Sequence, residues 1–388
     1  MLNIWQRKRP GPRERLCILH AGQHKTGSTT LQNYLTQNAA RLQREGVLYP
    51  QAGRSAARTQ HVDLVRLIAG QPLFSTGEGL VEAFDEEIAR TDHEVLLLSS
   101  EFLCSPLYFR PTNRLLQEFL AARGYRLHGV MYLRDQPEYL NSAYAERVKM
   151  GREHRPFAEF AEGVLAGTIN GAGSATKFHR LRRPEVTDWG THSFRPYSRA
   201  VRRAGVEADF METLIGVLAE QGLARGLTPE RVAGFTPAER ANVSTGPLHI
   251  ALGRRVAAEL APRFDHRTLV RVTEGVYTVI HAMLEREGIA ERSYTGLTPE
   301  IYARIRAHYA HKNRAVARDF WGRPWSKVFP SLPSARLETN DLDLDSPRGP
   351  AGRQEKKVAR LFRQVMPEVE ASVAAALASL PPEPADQE

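Results

Sequence analysis

Between Gly22 and Thr30 the chain reads GQHKTGSTT, a turn that places one lysine and four hydroxyls within nine residues. The lysine supplies a mobile positive charge and the hydroxyls supply hydrogen-bond donors. Gly22 and Gly27 allow the positive φ and the close backbone approach that a tight turn needs. At the open start of a helix this combination makes an anion site, first of all for a phosphate. The flanks have the required character. Leu16-Cys-Ile-Leu-His20 is an apolar run that reads as a strand. Leu31, Tyr34, Leu35 and Leu42 then recur at helical spacing, with Gly46 as a stop. Ser28 or Thr29 is expected to cap that helix. The candidate phosphate-binding residues are Gly22, His24, Lys25, Thr26, Gly27, Ser28 and Thr29.

The order of the residues matters. The nucleoside triphosphatase loop G-x-x-x-x-G-K-[ST] carries its lysine after the second glycine. Here Lys25 precedes Gly27, so that motif is not met. Further along, Gly129-Val-Met-Tyr-Leu133 reads as a buried strand ending at Arg134, with Ser142 two helical turns beyond. The C-terminal ends of parallel strands are where open α/β sheets bind ligands. An arginine fork with a serine hydroxyl makes a second phosphate clamp. A third strand, Val95-Leu-Leu-Leu98, leads through Ser99 and Ser100 to Glu101, which places a carboxylate on the same edge. Glu101 is the first candidate for a general base, a helix cap or a Lys25 partner being the other readings. His61, opening the helix pattern HVDLVRLI, is the alternative base. His24 lies in the loop and either shapes the turn or touches substrate. No metal-ligand cluster of convincing spacing is present.

Taken together, these motifs resemble the sulfotransferase family that uses 3′-phosphoadenosine 5′-phosphosulfate (PAPS). The similarity extends to Leu98-Ser-Ser-Glu101, Tyr132-Leu-Arg-Asp-Gln136, Phe194-Arg-Pro-Tyr197, Asp209-Phe210, Asn242-Val-Ser244, Asn313 and Phe320-Trp-Gly322. It is specific over residues 15–150, loose over 15–325, and favours a bacterial, carbohydrate-directed branch. The resemblance implies that Lys25, Thr26, Gly27, Ser28 and Thr29 hold the 5′-phosphosulfate end. It implies that Arg134 and Ser142 hold the 3′-phosphate, that 3′,5′-ADP is the product, and that no metal is needed. Carbohydrate-directed members commonly use a glutamate base, which favours Glu101 over His61, with Lys25 stabilising the leaving oxygen. The acceptor implied is a hydroxyl, most readily on a glycan.

Composition bounds the alternatives. The formal net charge of +9 suits anionic ligands. A nucleic-acid partner is not expected, because no aromatic-rich RNA motif or zinc-finger spacing occurs. Lys177, His179 and Arg180-Leu-Arg-Arg183 form the densest internal basic cluster, either lining an acceptor cleft or forming a solvated loop. Cys17 and Cys104 are too few for a disulfide framework and fit a reducing compartment. No apolar run reaches the length of a membrane span, and the basic N-terminus does not read as a signal peptide, so the expected location is the cytoplasm.

Strands near 16–20, 47–49, 95–99, 127–133 and 192–197, alternating with helices, predict an α/β fold. In detail the expectation is a P-loop-type parallel sheet flanked by helices, followed by a largely helical C-terminal half. Helices are expected over 206–223, 246–263, 267–287, 298–320 and 353–379. The domain reading is a basic tail over 1–15 and an α/β domain over 16–335. That domain comprises a PAPS-binding core, 16–150, and a helical acceptor or cover region, 151–335. An acidic linker, terminal helix and disordered tail occupy 336–388. A P-loop kinase or nucleoside triphosphatase, and a non-catalytic nucleotide- or glycan-binding relative, are the rival classes.

Overall fold

The computed structural model describes residues 15–54, 59–71, 77–109, 114–169, 172–238, 245–342 and 349–379. The basic N-terminal residues 1–14, the Asn242–Ser244 match, the body of the acidic linker and the Pro-rich tail lie outside them.

Five strands form one sheet: β1 Arg15–His20, β2 Val47–Leu48, β3 Val95–Ser99, β4 Tyr125–Leu133 and β5 Thr191–Pro196. Their order is β2-β3-β1-β4-β5 and every neighbouring pair is parallel. Pro196 is tolerated because it ends an edge strand, paired with Leu133, where its missing N–H leaves no gap in the sheet. The chain leaves β1 toward β2, returns to β3, and crosses to β4 on the other side of β1. That reversal sets a topological switch point at β1, the position where ligands bind such sheets.

Side chains alternate between the two faces, and both faces are covered. Leu16 and Ile18 of β1, with Val95 and Leu97 of β3, join a cluster with Leu31 and Leu35 of α1 (Ser28–Gln37) and with Phe210, Leu214 and Leu218 of the Val206–Gln221 helix. Cys17, Leu19, Leu96 and Leu98 face the other way, with Leu64, Phe84, Phe119 and Val316. Burial on both sides is why these strands read as continuous apolar runs. Past β5, every regular element among the described residues is helical.

The chain divides into two compact units. Over the described residues, one lies within 1–135, 174–241 and 310–330 and holds the sheet; the other lies within 136–173, 242–309 and 331–388. The second unit has its own core, built from helices Pro247–Leu260, Val276–Arg286 and Gly349–Ala378. The terminal helix contributes Val358, Leu361, Val365, Val369 and Val373, one stripe at helical spacing.

The single helix expected over 267–287 is in fact two, His266–Val272 and Val276–Arg286. Thr273 explains the break. Its hydroxyl lies 2.7 Å from both the Leu269 and the Met150 carbonyls, competing with the helix ladder. Among the described residues, no helix is long and apolar enough to cross a membrane.

Candidate functional site

The loop between β1 and α1 is built against its neighbours. Gly27 is the N-cap of α1 at φ 80°, and no side chain caps the helix. This corrects the expectation that Ser28 or Thr29 would cap it. The first helical backbone bond runs from Leu31 N–H to the Gly27 carbonyl at 3.1 Å, so the N–H groups of Ser28, Thr29 and Thr30 precede the ladder. The first turn holds no acidic residue. A helix start of this kind attracts an anion.

The two glycines act differently from one another. Gly27 needs its positive φ, and it packs under the Tyr197 hydroxyl and Val206. Gly22 has no positive φ; a Cβ there would overlap Ser28 Oγ. Close approach alone demands the glycine. The second left-handed position is instead Lys25, at φ 68°. A non-glycine residue there is uncommon and needs outside support.

Support comes from Gln23 and Arg134. Gln23 is fully buried; its amide donates to the Ala175 carbonyl at 2.8 Å and accepts from Arg134 N–H at 3.2 Å. The Arg134 guanidinium donates to the Lys25 carbonyl at 2.9 Å. The Thr26 hydroxyl bonds the Gln23 carbonyl at 2.6 Å, which fixes it inside the turn. Lys25 is half-buried and Thr29 exposed, so these two, with the helix N–H groups, are the donors that face outward.

Glu101 arrives from β3, one residue past Ser100, whose N–H bonds the His20 carbonyl at 3.1 Å. The carboxylate lies 2.5 Å from His24 Nδ1, which donates to it. Burial raises the Glu101 pKa, but the His24 contact, the Ser28 hydroxyl and the Lys25 charge outweigh it and hold the group below the usual range. The exposed member of the pair is His24, at 58% of its side-chain surface. Sequence order separates Lys25, Glu101 and Arg134 widely; the register of β3, β1 and β4 brings their strand ends side by side.

His61 lies against the end of β3, its backbone N–H bonded to the Ser99 carbonyl at 2.9 Å. It is fully buried as the N-cap of the Val62–Ile68 helix. Its Nε2–H donates to the Pro50 carbonyl at 2.9 Å, and Nδ1 accepts from Ser99 N–H at 3.1 Å. Burial, above all, lowers its pKa to about 3. Both ring nitrogens therefore serve the backbone. Ser142 is half-buried on the Gln136–Lys149 helix of the second unit.

No family model, curated protein or solved structure matches this chain.

Several residues from the later motifs pack on the two faces of the sheet. Asp209 bonds Arg195 at 2.6 Å and accepts from the Tyr132 hydroxyl at 2.7 Å. Phe210 packs edge-on against His20, ring centroids 5.4 Å apart. The Phe320 ring stacks on Phe194 at 4.1 Å, and the Trp321 indole donates to the Phe194 carbonyl at 2.6 Å. Gln23 is the support that sequence reasoning missed. Gln23 lies inside the motif but reads as an exposed loop residue, and only the fold shows what it braces.

Proposed function

We propose that this chain is a PAPS-dependent sulfotransferase of P-loop-type architecture, acting on a hydroxyl of a carbohydrate or glycoconjugate. One observation carries the reading. Lys25, Glu101 and Arg134 stand at the C-terminal ends of three adjacent parallel strands, around a helix N-terminus that no side chain caps. A cation, a base and an arginine fork at an anion-binding helix start are the parts that sulfuryl transfer requires.

The residues present fit such a donor. The Ser28 hydroxyl is buried beside the Gly22 backbone, where it also acts on the Glu101 carboxylate. Gly22 leaves room for the Ser28 hydroxyl to pack against the turn backbone at the helix start. PAPS supplies the sulfuryl group. As the acceptor oxygen forms its bond to sulfur, the bond from sulfur to the 5′-phosphate oxygen breaks and 3′,5′-ADP leaves. Lys25 and the Ser28 and Thr29 N–H groups stabilise the charge that grows on that leaving oxygen. The acceptor proton passes to the Glu101–His24 pair, in which the carboxylate orients the imidazole and stabilises its protonated form. Arg134 supports the 3′-phosphate end while bracing the loop. Two buried free thiols, Cys17 and Cys104, suit a reducing compartment, and we place the enzyme in the cytoplasm.

Calorimetric titration tests the donor assignment. Tight binding of 3′,5′-ADP with no binding of Mg-ATP is the expected result. The reverse would replace this reading with that of a P-loop kinase. Release of 3′,5′-ADP from PAPS in the presence of glycans, monitored by chromatography, separates an enzyme from a non-catalytic binder.

A further inference from the structure

The sheet-bearing unit has a second charged feature, one attached to the phosphate loop. The stretch 174–184 contains Lys177, Arg180, Arg182 and Arg183 and no carboxylate. It begins at the loop itself, since Gln23 donates to the Ala175 carbonyl at 2.8 Å. Lys177 follows two residues later, at most about 7 Å of chain away. A second anchor holds the segment. Phe178 is buried and stacks on Trp325 with ring centroids 6.0 Å apart. The Trp325 indole donates at 2.9 Å to Asp135, the residue after Arg134. Leu181 and Val186 are buried too, so the cations rise from a fixed base rather than from a loose loop.

Their pairing is uneven. Arg182 bonds Asp319, which also accepts from Arg318 at 2.9 Å. Lys177, Arg180, Arg183 and Lys312 have no ion-pair partner among the described residues, although all four act on the same histidine, His179. Burial first, then these four charges, lower the His179 pKa to about 4, which leaves the ring neutral at physiological pH. Four like charges around one uncharged ring repel one another and gain nothing from the fold. An external anion would relieve that repulsion.

We propose that Lys177, Arg180, Arg183 and Lys312 dock an acceptor that is itself anionic, a saccharide carrying carboxylate or sulfate groups beside the hydroxyl to be modified. The inference rests on the sulfotransferase reading and narrows its substrate class. The tether through Gln23 puts this docking surface next to the loop that holds the donor, so a polymer lying across the cations presents its hydroxyls near Lys25 and Glu101. Neutral His179 is left as a hydrogen-bond partner for uncharged hydroxyls between the anionic groups.

The test uses the full chain and a fourfold variant, K177Q/R180Q/R183Q/K312Q, with polygalacturonate oligosaccharide as the anionic probe and dextran oligosaccharide as the neutral one. Calorimetry should show the wild type binding polygalacturonate and not dextran, with affinity falling as salt rises. The fourfold variant should lose at least tenfold in that affinity yet bind 3′,5′-ADP within twofold of the wild type. R182Q, whose arginine is already paired with Asp319, should bind the uronate as the wild type does. An unchanged uronate affinity in the fourfold variant, equal binding of dextran, or tighter binding of a single-stranded oligonucleotide would each overturn the proposal. Failure of 3′,5′-ADP to bind the wild type would instead overturn the donor reading, and the two failures are read in separate titrations.

Discussion

Arg134 holds the backbone of Lys25: its guanidinium donates to the Lys25 carbonyl at 2.9 Å, while Lys25 itself lies at φ 68°. The arginine at the end of one strand thus stabilises the unusual backbone of the lysine after its neighbour. Arg134→Ala should lower affinity for 3′,5′-ADP at least tenfold, about 1.4 kcal/mol. Affinity for 5′-AMP should fall as well, but less, because bracing the loop serves both nucleotides and only the bisphosphate carries a 3′-phosphate. Titration of both ligands measures the difference. Equal losses would leave Arg134 with the bracing role alone.

Glu101→Gln should keep donor affinity within a few-fold and reduce kcat by at least about a hundredfold, the usual scale for a proton-transfer group. His24→Ala should reduce kcat in the same direction, and the double variant should be little worse than either single one, as expected of residues acting as a unit. Steady-state kinetics with 3′,5′-ADP binding as the control gives the answer. Because Glu101 ionises below the ordinary carboxylate range, the carboxylate-dependent acid limb of the rate should lie on the acid side of that range. In His24→Ala that limb should move to higher pH, because the contact that does most to lower the Glu101 pKa is gone while burial still raises it. Full activity in Glu101→Gln would remove the base assignment.

Gly22→Ala should abolish most donor binding, since the added methyl overlaps Ser28 Oγ. Gly216→Ala is the matched control. Gly216 is exposed within the Val206–Gln221 helix, with nothing near its missing Cβ, so alanine should stabilise the protein by about 1 kcal/mol. Thermal denaturation and 3′,5′-ADP titration, run on both variants, separate a local loop effect from global unfolding.

Acid should destabilise the sheet-bearing unit. His20 and His61 are buried with pKa values lowered to about 4 and about 3, burial being the largest cause in each. In the unfolded chain each binds a proton near pH 6.5, as a free imidazole does. Stability is therefore intact above pH 6.5 and falls as pH drops, because protons bind the unfolded state first. Each histidine contributes a slope of up to about 1.4 kcal/mol per pH unit down to its own folded pKa. Urea unfolding between pH 7 and pH 4 checks this. A flat profile in that range would show that neither histidine is held neutral.

The strands were legible because burial on both faces leaves a plain signature: Val95–Leu98 is apolar at every position. Glu101 and Arg134 were legible for a related reason, since parallel strands put their C-terminal ends on one edge whatever their order. The sheet order itself was not legible. Pairing of β1 with β3 and β4 joins residues about 80 and 110 positions apart, and nothing local encodes it. The same limit hid the Gln23 support and the stacking of Phe178 on Trp325. His61 shows the converse case. Its type and its place at a helix start suited a base, but ring nitrogens bonded to Pro50 and Ser99 are a tertiary fact.

The left-handed Lys25 has a last consequence. A lysine in that region costs of the order of 1 kcal/mol or more, and GQHKTGSTT does not offset it alone: Gln23 braces the turn only through the Ala175 carbonyl and Arg134, and Arg134 holds the Lys25 carbonyl. The nonapeptide is therefore not portable. Excised as a peptide, or grafted onto another strand–helix junction without an arginine on the next strand and a carbonyl to receive the Gln23 amide, it would relax out of shape.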